Sequence, residues 1–350
     1  MGDEGVVSVP DQQVGIVWPH GRSDNLVISV DLEGRLNYFA QGNPKPVRII
    51  EGHQKSITAA GLIPSASSKD SLATFYTGSY DGRVRAWNLS TGSASAIDGE
   101  SHSNQVSSIS AGTGRMYSVA WDDTLRTIDV PSSTFTGSAT KTSGQPAGVA
   151  HSSSGSVLVA THKGIDIFSA SSGEKTGTLD TKFSATCIAV PHFGTTIAVG
   201  GDDRVLRIYS LSGSSLKEES QIPALAAAPS TLSFSPTGSL LAVGLASGGI
   251  SVYNTSDWSL VTSRWSAHTA RVTAISWRKD GEFAVSGSLD TNVFVWSLKS
   301  PGKRVKAAGA HKDGVGGVVW VEGEGEAGKE RVISVGADAA VKVWGVSGLV

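Results

Sequence analysis

The chain is poor in several things that define common protein classes. Its 350 residues include a single cysteine, Cys187, which excludes an internal disulfide and a cysteine-rich zinc site. Charged residues make up only 17%, and 29 Lys+Arg against 31 Asp+Glu leave a formal net charge of -2. A generally basic nucleic-acid binder needs surplus cations to displace phosphate counterions, so no nucleic-acid partner is expected. No apolar run approaches the roughly 20 residues of a membrane-spanning helix, so no membrane partner is expected either. The first residues, MGDEGVVSVPDQQ, carry acids where a secretory signal carries bases and then an apolar run. A soluble, cytoplasmic chain is the expectation. Long apolar stripes at helical spacing are missing, and so are the Gly-x-Ser-x-Gly, His-Glu-x-x-His and phosphate-loop patterns. No enzyme, metal site or cofactor is therefore expected.

What is abundant is glycine, 42 residues, beside an apolar fraction of 39% that suffices for a large core. Short alternating runs of β-formers recur, among them GRVRAW, RVLRIY, TNVFVW and AAVKVW. The runs end in bulky residues at Phe39, Trp87, Ile128, Phe168, Tyr209, Tyr253, Trp296 and Trp344, with a mean interval of about 43.6 residues. That period fits a four-stranded propeller blade of ~40–45 residues, and not leucine-rich or ankyrin repeats. The clearest repeat predicts strands over 272–277, 283–288 and 292–296, joined by turns rich in Asp and Gly.

Within the repeats, four sets of residues keep a common order: His53, Asp81 and Trp87; His102, Asp122 and Ile128; His268, Asp290 and Trp296; His311, Asp338 and Trp344. In each, the Asp stands six residues before the strand end. Asp203 keeps the same offset from Tyr209 in a repeat without the His. Recurrence once per repeat spaces these groups around a ring, which favours structural networks over a metal site or a catalytic dyad. Cys187, within an apolar run, is expected to be a buried, inert thiol. Asp313 opens the glycine-rich stretch DGVGG, which reads as a turn before a strand.

The His, turn Asp and strand-end Trp pattern resembles the WD-repeat family. The resemblance implies an all-β WD-repeat β-propeller in which Asp accepts from His and a strand hydroxyl and the Trp indole complete the set. Seven blades over 45–348 are expected, with 1–44 an incomplete extra blade left from an upstream propeller; eight blades are the alternative. Residues 46–50 (PVRII) are the expected closing strand, pairing with the blade that ends at Trp344. Ordered stretches resemble a narrower group, the actin-interacting WD-repeat proteins with two seven-bladed propellers in tandem. They include DQQVG at 11–15, GRLNY at 34–38, GHQKSI at 52–57, HSNQVS at 102–107, DDTLR at 122–126, AVGG at 198–201, LRIY at 206–209 and RVK at 304–306. This resemblance implies a non-catalytic partner of actin filaments and cofilin that promotes filament disassembly at the actin cytoskeleton, in cortex or patches. It also implies that the chain matches only the second half of such a protein. A general scaffold or substrate adaptor is the alternative function. Lys55, Tyr80, Asn104, Trp121, Asp202, Arg271 and Asp313 are the candidate partner-binding loop residues, because their positions beside the His and Asp place them on one propeller face.

Overall fold

The computed structural model describes residues 12–18, 26–32, 35–43, 45–63, 74–89, 91–321 and 330–348. Among them all regular structure is β, arranged as eight antiparallel sheets that follow one another along the chain. We letter them A (13–50), B (57–96), C (106–141), D (146–180), E (185–222), F (229–265), G (272–307) and H (315–346). Sheets A to G have four strands each and H has three. Each of the eight bulky strand ends, from Phe39 to Trp344, lies on the third strand of its sheet.

The core lies between sheets. Of seven buried apolar clusters, six join successive sheets from B–C through to G–H and the seventh joins H to B. In the seventh, Ile57 and Phe75 pack against Val321, Ile333 and Val335. The first strands of B to H contact one another in the same closed order. The central strands therefore meet apolar neighbours on both faces, which explains near-continuous apolar runs such as LLAVGL at 240–245 and FAVSGS at 283–288.

A β-bulge recurs near the start of the first strand in every sheet of this cycle. In B, E, F and G the extra residue turns its hydroxyl toward the next sheet. Thr58 donates to the Val106 carbonyl at 2.6 Å, and Thr186, Ser230 and Thr273 each donate at 2.7 Å to Pro229, Val272 and Val315. At the H–B junction the bulge residue is Gly316, where a Cβ would stand 1.9 Å from the Ile57 carbonyl oxygen. Backbone meets backbone at that junction, and only glycine fits.

One expectation is corrected. The strand Arg48–Ile50 pairs with Leu36–Phe39 and completes sheet A; it does not pair with the last strand of H. The sheet short of a strand is H, whose outer strand Val341–Val346 has no outward neighbour among the described residues. The segment lies one strand-length from the edge of A, and that edge captures it. Glu33, which stands six residues before Phe39 where other repeats carry the turn Asp, lies outside the described residues. Asp31 is buried instead and accepts from Arg35 and Asn37. Burial opposes its ionisation, but those hydrogen bonds and the Arg35 charge hold its pKa below the usual carboxylate value.

Candidate functional site

The predicted networks sit beneath one face of the ring. In G, His268 Nδ1 lies 2.9 Å from Asp290, its Nε2 lies 2.8 Å from Ser286 Oγ, and the Trp296 indole donates to the same Oγ at 2.8 Å. Ionised Asp only accepts, so Nδ1 carries the proton and Nε2 accepts from the hydroxyl. Every polar atom in the chain of bonds is then satisfied with a neutral imidazole. Burial lowers the His268 pKa, against the raising effect of Asp290. The set around His53 repeats the pattern through Thr77, with Trp87 donating at 2.7 Å. That around His311 does so through Ser334 and Trp344. His102 binds Asp122 and Ser118, while Ile128 fills the Trp position without a polar contact.

Each Asp also accepts from the backbone N–H after its His and from the N–H two residues beyond itself, as Asp290 does from Thr269 and Asn292. This holds the loop before the first strand against the turn between the second and third strands. For Asp81, burial works against ionisation, yet the bonds from His53, Arg83 and Gln54 bring its pKa down to about 2.

Three sheets use other means. Counting four residues back from the first paired residue of the inner strand, the His position holds Thr142 in D, Thr181 in E and Leu225 in F. In E, Asp203 pairs with Arg207 at 2.6 Å, and that guanidinium stacks 3.8 Å from the Phe183 ring centroid. In D, the fully buried Asp166 on the third strand accepts from the Ser143 N–H and hydroxyl at 2.6 Å each and from Thr178 at 2.9 Å. Lys175 lies 3.1 Å from it. Asp166 holds the loop N–H that a turn Asp holds elsewhere. No period marks it, so the sequence reading missed it.

Above these networks a channel of about 780 Å³ runs along the inner strands. Its mouth is built from one repeated bond, in which the residue before or at the turn-Asp position donates its N–H to the residue preceding the first strand. The donors are Tyr80, Trp121, His162, Asp202, Ala246, Leu289 and Ala337, at 2.9–3.2 Å. Of the predicted loop residues, Tyr80, Trp121, Arg271 and Asp313 line the channel; Lys55, Asn104 and Asp202 are exposed but do not line it. The aromatic donors fall on consecutive sheets, with Tyr80 49% and Trp121 43% exposed. His162 is the third, its Nδ1 accepting from the Gln145 N–H at 2.9 Å. Gln105, Gln145, His162 and Leu289 also line the mouth and were not predicted. Alignment on the His and Asp positions would have found His162 only if the shortened turn of D had been recognised. Cys187 lines the channel wall as well, where burial pushes its thiol up to about 11. No group of three or more His, Cys, Asp or Glu converges among the described residues.

This architecture is that of a WD-repeat propeller protein. A family model described as "WD domain, G-beta repeat" matches residues 44–88, and the chain belongs to the WD-repeat family. A second, "Domain of unknown function (DUF7165)", matches 132–294. Similar relatives include an uncharacterized WD repeat-containing protein of Schizosaccharomyces pombe, 34% identical over 96% of this chain and 54% of that protein. Actin-interacting protein 1 of Drosophila melanogaster is 33% identical over 98% of this chain and 54% of its own length. WD repeat-containing protein 1-B of Xenopus laevis is 32% identical over 97% and 54%. The chain thus spans about half the length of the curated relatives it matches. Among solved structures, a crystal structure of the computationally designed Ika8 protein aligns over 96% of this chain and 97% of its own. Its TM-score is 0.60 at 18% identity, a likeness of fold alone.

Proposed function

We propose that this chain is a non-catalytic actin-binding protein that promotes cofilin-dependent filament disassembly as one half of a two-propeller protein. The observation that carries the reading is the match, over nearly all of this chain, to relatives named actin-interacting protein 1. In this reading sheets B to H are a seven-bladed ring, and sheet A belongs to an adjoining propeller. The exposed apolar side chains of Val14, Ile16, Val17 and Trp18 in A support that assignment, since a blade without neighbours leaves its faces bare. The boundary between the two then falls after Ile50, and not at residue 44 as first expected. The place of action is the actin cytoskeleton.

The mechanism is differential binding. A rigid ring offers side chains from several loops on one face, and contacts that favour a deformed or severed filament shift the equilibrium toward it. Tyr80 and Trp121 at the channel mouth are the proposed anchors, because large exposed aromatics dominate interface energetics. The test is co-sedimentation with cofilin-decorated filaments, using this chain alone and joined to an upstream propeller. Binding by the joined form, weakened at least tenfold by the double change Tyr80→Ala and Trp121→Ala, is the expected result. Failure of both forms to pellet, with each shown to be folded, overturns the proposal.

A further inference from the structure

A second cavity, of about 590 Å³, lies between sheets C and D. An irregular strand opens it. Thr136 pairs with Thr127 and Thr140 with Leu125, so residues 137–139 loop out opposite Arg126 alone. Gly137, at φ 69°, supplies the left-handed turn this needs. The facing wall is the turn 171–173 of sheet D. It is fixed in place by Thr140 donating to the Gly173 carbonyl at 2.9 Å and by Arg115 donating to that of Ser171 at 2.9 Å.

The lining is unlike the rest of the chain. Three of its 14 residues are cations, Arg115, Lys141 and Lys175, against one acid, Glu174; over the whole chain Lys+Arg are 29 of 350. Lys175 is offset by Asp166. Arg115 and Lys141 form no ion pair with a carboxylate among the described residues. Six lining residues carry hydroxyls, the apolar ones are Leu125 and Ala139, and none is aromatic. Cations and hydroxyls suit phosphate and polyol oxygens, whereas a nucleotide base would want a ring to stack on. The volume lies in the range of small-molecule pockets.

We propose that this cleft binds a small phosphorylated polyol, with Arg115 and Lys141 on its phosphates and Ser138 and Ser172 on its remaining oxygens. The site is separate from the channel mouth and does not depend on actin binding. The test is calorimetric titration of the folded chain with inositol 1,4,5-trisphosphate, which keeps free hydroxyls, and, separately, inorganic pyrophosphate. The exposed changes Lys141→Glu and Ser172→Asp sit on opposite walls, and Lys217→Glu, on the outer strand of E, serves as the off-site control. Thermal melts establish that each variant is folded. Expected are tighter binding of the polyol phosphate than of pyrophosphate, a loss of at least tenfold with either cleft variant, and no change with Lys217→Glu. No binding at millimolar probe, equal binding of the two probes, or equal weakening by the off-site change would each overturn the proposal.

Discussion

Sheets G and D carry the same four-stranded frame and hold it by different chemistry. In G a neutral His268 bridges Asp290 and Ser286, and two tryptophans, Trp277 and Trp296, each lie 5.8 Å from Trp265 of the neighbouring sheet F. In D there is no His–Asp pair and no tryptophan. A buried carboxylate, Asp166, gathers two hydroxyls, one backbone N–H and Lys175. Both devices pin the loop before the inner strand to the body of the sheet. The features they share are the bulge and the close approach of successive inner strands. Backbone geometry is thus the constant of this ring, and the polar set is an exchangeable means of holding it.

The sharpest way to break that comparison is to strike the constant itself. Gly316→Ala drives a Cβ into the Ile57 carbonyl and should destabilise the ring by about 3 kcal/mol or more. Gly345→Ala, with nothing within 4 Å of the added carbon, should shift stability by less than about 0.5 kcal/mol. Chemical denaturation of the two variants checks the pair. Next in size is Ser286→Ala, which strips the buried His268 Nε2 and the Trp296 indole of their shared partner and should cost about 2–3 kcal/mol. Asp166→Asn in D should cost about 2 kcal/mol, because it leaves the charge of Lys175 unmatched beside a buried amide. If Asp166→Asn proved silent while Ser286→Ala did not, the two devices would not be equivalent. Asp203→Ala in E removes a partly exposed pair and should cost no more than about 1 kcal/mol.

Acid should separate the sheets further. Asp81 is held at about 2 in the folded chain against a reference of 3.8, so the unfolded state binds more protons between those values. The stability it contributes is complete above about pH 4 and drains as pH falls toward 2. The depressed His268 pKa acts in the same direction from its reference of 6.5 downward. Stability measured from pH 7 to 2 should therefore fall with acid, and Asp81→Asn should flatten the lowest part of the curve. The smallest effect on folding belongs to Trp121→Ala at the channel mouth, less than about 0.5 kcal/mol. A melt showing a larger loss would make that ring part of the scaffold instead of an exposed anchor.

The period, the strand ends and the His–Asp–Trp sets were legible because each is a local, repeated pattern tied to a turn. Asp166 was not, since an Asp in the strand Gly164–Ser169 looks like any polar residue until Ser143 and Thr178 are brought beside it. Nor was His162 at the channel mouth, because the turn of D is one residue short and slips the alignment, nor Gln145, because the His that marks its place in other repeats is Thr142 in D.

Sequence alone thus determined the strands of the clearest repeat, how often a sheet recurs and where the His–Asp pins lie, all from spacing within some forty residues. Which edge captures Arg48–Ile50 was decided only in three dimensions. The strand alternates in the same way whichever neighbour it meets, and hydrogen bonds along a sheet edge are blind to side-chain identity. The meeting of H with B at Gly316 and Ile57 was decided there too, because it joins residues some 260 positions apart and no local pattern encodes such a contact.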